Sequence, residues 1–263
     1  MYQRVTRSTE QADQLQIVHA LVVQQRRLMP RVGTRKLHYL LKDELDAKGI
    51  KLGRDGLFRL LRCSHMLITP KKNYTKTTHS KHWLTKHPNL MKQVRPTHPE
   101  QYFVSDITYV KSAERTHYLS LVTDAYSRKI MGYHLSDDLS AESVAQALKK
   151  AVRHRHTTQE LVHHSDRGLQ YCSSVYQRQL RLNNILPSMT DGYDCYQNAL
   201  AERVNGILKG EFLIYRCRTG KELNTLISES IDTYNNKRPH LSLGMKTPTF
   251  IHEKTRELTH SGF

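Results

Sequence analysis

Apolar residues recur at helical spacing through the first part of the chain. Residues 14–28 (QLQIVHALVVQQRRL) read as a helix that stops at Pro30, since proline lacks an amide N–H and clashes with the preceding turn. Gly33-Thr34 opens a second predicted helix over 34–48, where Leu37, Leu40, Leu41 and Leu45 fall at i, i+3, i+4 and i+8 on one face. Gly49 closes it in the position where helices commonly end on glycine. After IKLG a third helix is predicted over 54–63, with Leu57, Leu60 and Leu61 inward and Arg54, Arg59 and Arg62 outward.

From residue 101 the pattern changes. Residues 101–110 (QYFVSDITYV) form a continuous apolar run, which predicts a strand covered on both faces. Residues 116–124 and 128–135 give two more strands joined by short connections, a meander of hairpins. A helix follows over 140–153, with Ser140 as N-cap and Glu142 and Ser143 in its first turn. Then come a strand at 160–165, a helix at 171–183, a strand at 185–188 and a helix at 197–211. Hairpins first and alternation later predict an α/β fold, a mixed sheet flanked by helices.

The two helices before residue 64 are short, amphipathic and joined by a glycine-containing turn, and the second is basic. That suits a helix-turn-helix, with a purely structural helical hairpin as the alternative. In the first reading Arg54 and Asp55 face bases in the major groove, and Lys51 and Arg59 contact phosphates.

Charge sharpens this division. The 263 residues carry 41 Lys and Arg against 24 Asp and Glu, a net of +17. Residues 1–100 hold 20 of the bases and 7 of the acids, a net of +13, which leaves +4 for the rest. Such an excess points to a polyanion, nucleic acid first. Pro70 to Pro99 contains no acid and reads as a basic linker along a phosphate backbone, with Tyr74 and Trp83 stacking on bases or packing on a neighbouring domain. No run of about 18 apolar residues offers a membrane span. The N-terminal residues lack the apolar core of a secretory signal. Cys63, Cys172, Cys195 and Cys217 are far apart and make no CxxC pair, which argues against a zinc ribbon or a disulfide scaffold and fits a reducing cytosol.

Three acids stand out in the second part. Asp106 lies mid-strand in FVSDITYV, where an ionised group is costly unless paired or bound to a cation. Asp166 follows a strand, and Arg167-Gly168 turns the chain away after it. Glu202 shares a polar helix face with Asn198, Asn205 and Lys209. Singly, each has a dull explanation as a turn or surface residue. Together on neighbouring elements they would form an oxygen cage for Mg²⁺ or Mn²⁺.

The blocks SDITY around Asp106, HSDRGLQY around Asp166 and DCYQNALAERVNGILKGE around Glu202 resemble the three catalytic blocks of a DDE transposase of the retroviral-integrase-core superfamily. Between Asp166 and Glu202 lie 35 residues, the spacing for which that group is named. Tyr234 to His240 (YNNKRPH) resembles the YNxxRPH block of the group, and RVGTRKLHYLL with GRDGLFRLLR resembles its helix-turn-helix. The whole chain is similar to the second-reading-frame product of bacterial insertion sequences of family three.

The resemblance implies a ribonuclease-H-like core preceded by an all-α helix-turn-helix domain. Its boundaries would be a helical DNA-binding region at 1–69, a basic linker at 70–99, a catalytic core at 100–215 and a tail at 216–263. It implies catalysis and metal binding by Asp106, Asp166 and Glu202 with two Mg²⁺ or Mn²⁺ ions, and DNA cleavage followed by strand transfer. The implied partners are double-stranded DNA (terminal repeats and target), further copies of the chain on paired ends, and an upstream-frame protein as fusion or partner. The implied location is the bacterial cytoplasm, at the nucleoid. Arg203, Asn205 and Lys209, with Asn198, would hold DNA, and Arg238 and His240 either approach DNA or brace the core. Two departures are local: YFVSD replaces a Trp- and Thr-containing lead-in, and Gln197 stands where Asp is common. The zinc domain of retroviral integrases has no counterpart, and His163 and His164 read as structural or DNA-facing. An inactive DNA-binding regulator and a cellular ribonuclease H are the rival readings. The intact acid triad argues against the first, and the helix-turn-helix and YNxxRPH block against the second.

Overall fold

Strand β1 (Tyr102–Lys111) is the middle of a five-stranded sheet in a computed structural model of the chain. The structure describes residues 2–69, 84–92, 94–191 and 198–260, with side chains described only within 13–254. The expectations for Tyr74 and Trp83 in the basic linker, for Cys195 and for Gln197 lie outside the described residues. The order is β3-β2-β1-β4-β5, with β2 (Thr116–Asp124), β3 (Ile130–Ser136), β4 (Leu161–Ser165) and β5 (Ile185–Met189). The first three strands are antiparallel neighbours, while β1–β4 and β4–β5 pair in parallel. This mixed sheet matches the expected hairpins followed by crossovers.

One face is covered by α4 (Ala141–Arg153), α5 (Leu169–Cys172) and α6 (Ser174–Leu182). Helix α4 forms because Val144, Ala145, Ala147, Leu148 and Ala151 make a continuous apolar stripe, and Ser140 caps its start by accepting from Ser143 N at 3.2 Å. The stretch expected as one helix over 171–183 is two. Ser173 leaves helical geometry and caps α6 by accepting from Tyr176 N at 3.2 Å. The opposite face carries α7 (Ala199–Ile207) and α8 (Gly220–Asn236). The helix expected to run to residue 211 gives way to a wider π-helical turn, Leu208–Phe212, closed by Leu213 N donating to Leu208 O at 2.9 Å. The last helix, α9 (Pro248–His260), returns toward the β2–β3 end of the sheet, where His252 Nδ1 meets Ser127 Oγ at 3.0 Å.

The N-terminal helices are α1 (Tyr2–Leu28), α2 (Thr34–Ala47) and α3 (Arg54–Cys63). The first starts well before the expected residue 14. Their leucine stripes pack together as predicted, with Leu37, Leu41, Leu57 and Leu61 fully buried. The same apolar cluster continues into Val204, Leu208, Phe212 and Tyr234 on the α7–α8 face, so the helical unit docks on the sheet layer. No described helix is long and apolar enough to cross a membrane.

Candidate active site

Alternation along β1 sorts its side chains between the two faces. Phe103 and Ile107 join the α4–α6 layer. Ser105 points the same way, within 2.7 Å of His163 Nε2. Val104, Asp106 and Thr108 face α7 instead. On α7, Ala201, Val204 and Leu208 just beyond it are buried, while Glu202 is exposed toward the same side as Asn205. Asn205 Nδ2 donates to Asp106 Oδ2 at 2.8 Å, and Ile107 N donates to Asp106 Oδ1 at 2.9 Å. Lys209, one further turn along, donates to Thr108 Oγ1 at 3.2 Å.

Asp166 arrives by strand register. Phe103 pairs with His163 and Val104 with His164 in the parallel β1–β4 ladder. Continuing that register by two residues brings Asp166 beside Asp106. The turn after it is held by Gly168 N, which donates to Asp166 Oδ1 at 3.0 Å. A Cβ on Gly168 would lie only 3.0 Å from that oxygen, so the carboxylate leans over the bare backbone.

The electrostatics mark the three acids as one group. Burial, then the charge of Asp166, pushes the Asp106 carboxyl up to about 7, with Glu202 adding to the rise and the bonds from Asn205 and Ile107 opposing it. Burial and the Asp166 charge also raise the Glu202 carboxyl. Burial and a nearby like charge both disfavour the ionised carboxylate, and a bound cation would offset both. Among the described residues, no group of three or more His, Cys, Asp or Glu side chains stands close enough together to hold a metal ion. The surroundings nevertheless suit a hard divalent ion. The donors are oxygens. Asn198 Oδ1, Asn205 Oδ1 and Tyr171 Oη are buried without a hydrogen-bond partner among the described residues. Tyr171 lies in the α4–α6 layer against His163 and Tyr176, and its hydroxyl is raised by burial and Tyr176 and then by the charges of Asp106 and Asp166.

Other residues expected to touch DNA divide into two sets. Lys51 just before α3, and Arg54, Asp55 and Arg59 on it, are exposed, with Arg54 Nε paired to Asp55 at 2.9 Å. Arg203 is exposed on α7 and Lys209 is half-buried beside the carboxylates. Asn198, Asn205, Arg238 and His240, the others expected to touch DNA, are all buried. Asn198 Nδ2 donates to Ser105 O at 3.0 Å, and Asn205 holds Asp106. Arg238 grips Glu211 through Nε at 2.8 Å and Nη2 at 2.7 Å, and its Nη1 meets His240 Nε2 at 3.0 Å. Both of these side chains of the YNxxRPH block thus make contacts inside the core. Asn235 clamps Ile130 at both N and O, and Tyr234 Oη donates to Arg128 O at 3.1 Å.

His163 and His164 are structural. His163 Nε2 lies between Ser105 Oγ and Tyr176 Oη, and burial drives its pKa down to about 3, so the ring is neutral. His164 Nδ1 meets Ser188 Oγ at 2.8 Å. Sequence reasoning gave no role to Glu211 or Tyr171. The pairing of Glu211 spans too many residues to be seen in a pattern, and Tyr171 gave one signal, its place three residues after Gly168 in HSDRGLQY.

Two family models match the chain, both described as an integrase core domain, over residues 96–195 and 183–248. A 31 kDa protein of insertion element IS600 from Shigella sonnei, itself uncharacterized, is 36% identical over 229 residues, 86% of this chain and 83% of that protein. A transposase of Escherichia coli K12, InsF for insertion sequence IS3fB, is 31% identical over 211 residues, 79% of this chain and 73% of that one. A chain of the simian T-cell lymphotropic virus intasome, solved with the PP2A regulatory subunit B56 gamma, superposes at a TM-score of 0.52 with 19% identity, over 84% of this chain and 74% of that one. That last likeness concerns the fold, a ribonuclease-H-like integrase core with helices before it. Similar to such relatives over most of its length, the chain belongs to the insertion-sequence transposases of IS3 type, DDE polynucleotidyl transferases built on an integrase core.

Proposed function

We propose that Asp106, Asp166 and Glu202 are the catalytic carboxylates and would hold two Mg²⁺ or Mn²⁺ ions for cleavage at the element's ends and strand transfer into target DNA. The family carries divalent-metal dependence, and the reading rests on one observation, the raised Asp106 and Glu202 carboxyls, which burial and then the charge of Asp166 both push up. Bound ions of this kind lower the pKa of the attacking water or 3′-hydroxyl and stabilise the leaving oxygen.

The chain's own residues do the positioning. Asn205 and the Ile107 amide fix the rotamer of Asp106. Lys209 brings a positive charge beside Asp106, where a phosphate would otherwise meet only negative charge. Arg203 and Lys209 are suited to the DNA backbone near the scissile bond. Arg54 and Asp55 would read bases of the terminal repeat while Lys51 and Arg59 meet phosphates, in a helix-turn-helix docking. Paired ends imply at least two copies of the chain, and an upstream-frame protein would be a partner or fusion. The compartment is the bacterial cytoplasm.

The test uses a duplex ending in the inverted repeat that flanks the gene, with Mg²⁺. Asp106→Asn, Asp166→Asn and Glu202→Gln should each bind the duplex and fail to cleave or join it. Full strand transfer by any one of the three would end the proposal. Binding without cleavage by the wild type would favour a DNA-binding regulator instead.

A further inference from the structure

We propose that Glu211 is a positioning residue that fixes the register between the end-reading helices and the carboxylate site, and so selects which phosphodiester is cut. This rests on the DNA-cleaving reading above. Glu211 lies on the π-helical turn, two residues after Lys209. Lys209 is bonded to Thr108, so a shift of that turn is felt beside Asp106.

Two segments distant in sequence, 31–36 and Arg238, meet at Glu211. Lys36 of α2 donates from Nζ to Oε1 at 3.2 Å, and Arg31 N donates to the Glu211 carbonyl at 3.2 Å. Arg238 takes both oxygens with its planar fork. The fork is itself anchored, because Arg238 stands over the Tyr234 ring at 5.8 Å and the adjacent Asn235 clamps the start of β3. The reading unit is thus pinned to the sheet through one shared acid.

Apolar contact alone cannot set this register. Apolar burial in the leucine-rich cluster that joins α1–α3 to the α7–α8 face is non-directional. A charge-assisted trio is directional, since its hydrogen bonds are lost within a small displacement. Its sign matters too. One carboxylate separates two cations, and Arg238 already depresses the Lys36 ammonium after burial does. Without the Glu211 charge, Lys36 and Arg238 would face each other and drive α2 away from the core.

The experiment has two arms. In the first, the exposed Cys63 on α3 and a cysteine introduced by Glu142→Cys on α4 carry spin labels, in a Cys195→Ser background of the full chain. The Glu211-intact protein should give one narrow distance, and Lys36→Met and Glu211→Gln should broaden it. Lys36→Met leaves the Arg238 fork in place, so it keeps the core brace if Glu211→Gln fails to fold. An unchanged distribution in Lys36→Met overturns the latch. In the second arm, cut positions on the end duplex are mapped with Mn²⁺. The share of cuts at the wild-type bond should fall about tenfold, the factor given by loss of one charge-assisted bond. Total cleavage should persist at neighbouring bonds, whereas a merely stabilising role would lower yield without moving the cut. A broadened distance with unmoved cuts overturns the register role. If the wild type cuts no duplex, the proposed function falls, and the distance arm still decides the latch.

Discussion

Asn205 Nδ2 donates to Asp106 Oδ2 across the gap between α7 and β1, at 2.8 Å. A helix residue therefore fixes the angle of a strand carboxylate, and Asn205 Oδ1 stays buried and open to a further partner. Removing the amide with Asn205→Ala frees the Asp106 rotamer. Partners of this kind typically cost about 10–100-fold in metal affinity or activity when removed. Calorimetric titration with Mn²⁺ and end-cleavage rates should both fall in that range. Wild-type Mn²⁺ affinity in the variant would show that the bond is incidental.

The crowding of acids predicts a stability cost. Folded Asp106 holds its proton to about 7, against 3.8 for an ordinary carboxyl. The folded state therefore binds the proton more tightly than the unfolded state. Stability is intact below 3.8 and erodes as pH rises through about 7. Asp106→Asn removes that erosion. With chelator at alkaline pH it should exceed the wild type by on the order of 1–3 kcal/mol in urea unfolding. Near pH 4 the two should converge. Added Mg²⁺ should stabilise the wild type and leave Asp106→Asn nearly unmoved.

Gly132 on β3 sits against α4 with no room for a side chain. A Cβ there would lie 2.2 Å from Ala147 O, 2.5 Å from Ala151 N and 2.9 Å from Ala151 Cβ. Two of those atoms are backbone, so relief requires moving the whole helix. Gly132→Ala should destabilise by about 3 kcal/mol or more, at or beyond the usual overpacking range. A thermal midpoint within a degree or two of wild type would contradict this packing.

His252 ties α9 to the sheet. Its ring lies 3.4 Å from Glu100 and 3.5 Å from Asp124, with Lys129 and Arg155 in the surrounding network. Burial lowers its pKa, but Asp124 and Glu100 outweigh this and leave it above the ordinary 6.5. The charged form thus stabilises the fold fully below 6.5 and loses this contribution as pH rises through the higher folded value. His252→Gln should cost more at pH 6 than at pH 9. Equal costs at both would show that the ring is held neutral.

Much of the architecture was legible because burial writes itself as period. The five strands and the leucine faces of α2 and α3 follow from spacing alone. Asp106 stood out because an acid inside FVSDITYV contradicts its surroundings. What escaped depends on contacts between distant segments. The break at Ser173 looks like any polar residue in a helical run until its hydroxyl is seen capping α6. Arg238 and His240 are basic, and residue type cannot say whether a base meets a phosphate or an acid. Here Arg238 meets Glu211, 27 residues away, and Lys36 meets the same acid across 175 residues. The π-helical turn that presents Glu211 has no sequence marker.

The two sides of β1 are acquired at different times. Its antiparallel partner β2 begins only a few residues after it ends, at Thr116, and a hairpin of this kind closes in roughly microseconds. Its parallel partner β4 and the helix bearing Glu202 lie far downstream, so their docking waits for long loops to close. The clamp of Asn235 on Ile130 comes later still. A nascent chain on the ribosome therefore displays Asp106 long before the other two acids can join it. Any truncated product that stops before residue 202 carries at most two of the three acids. DNA beside the nascent chain therefore meets the three acids together only after Glu202 has been made and α7 has docked on the sheet.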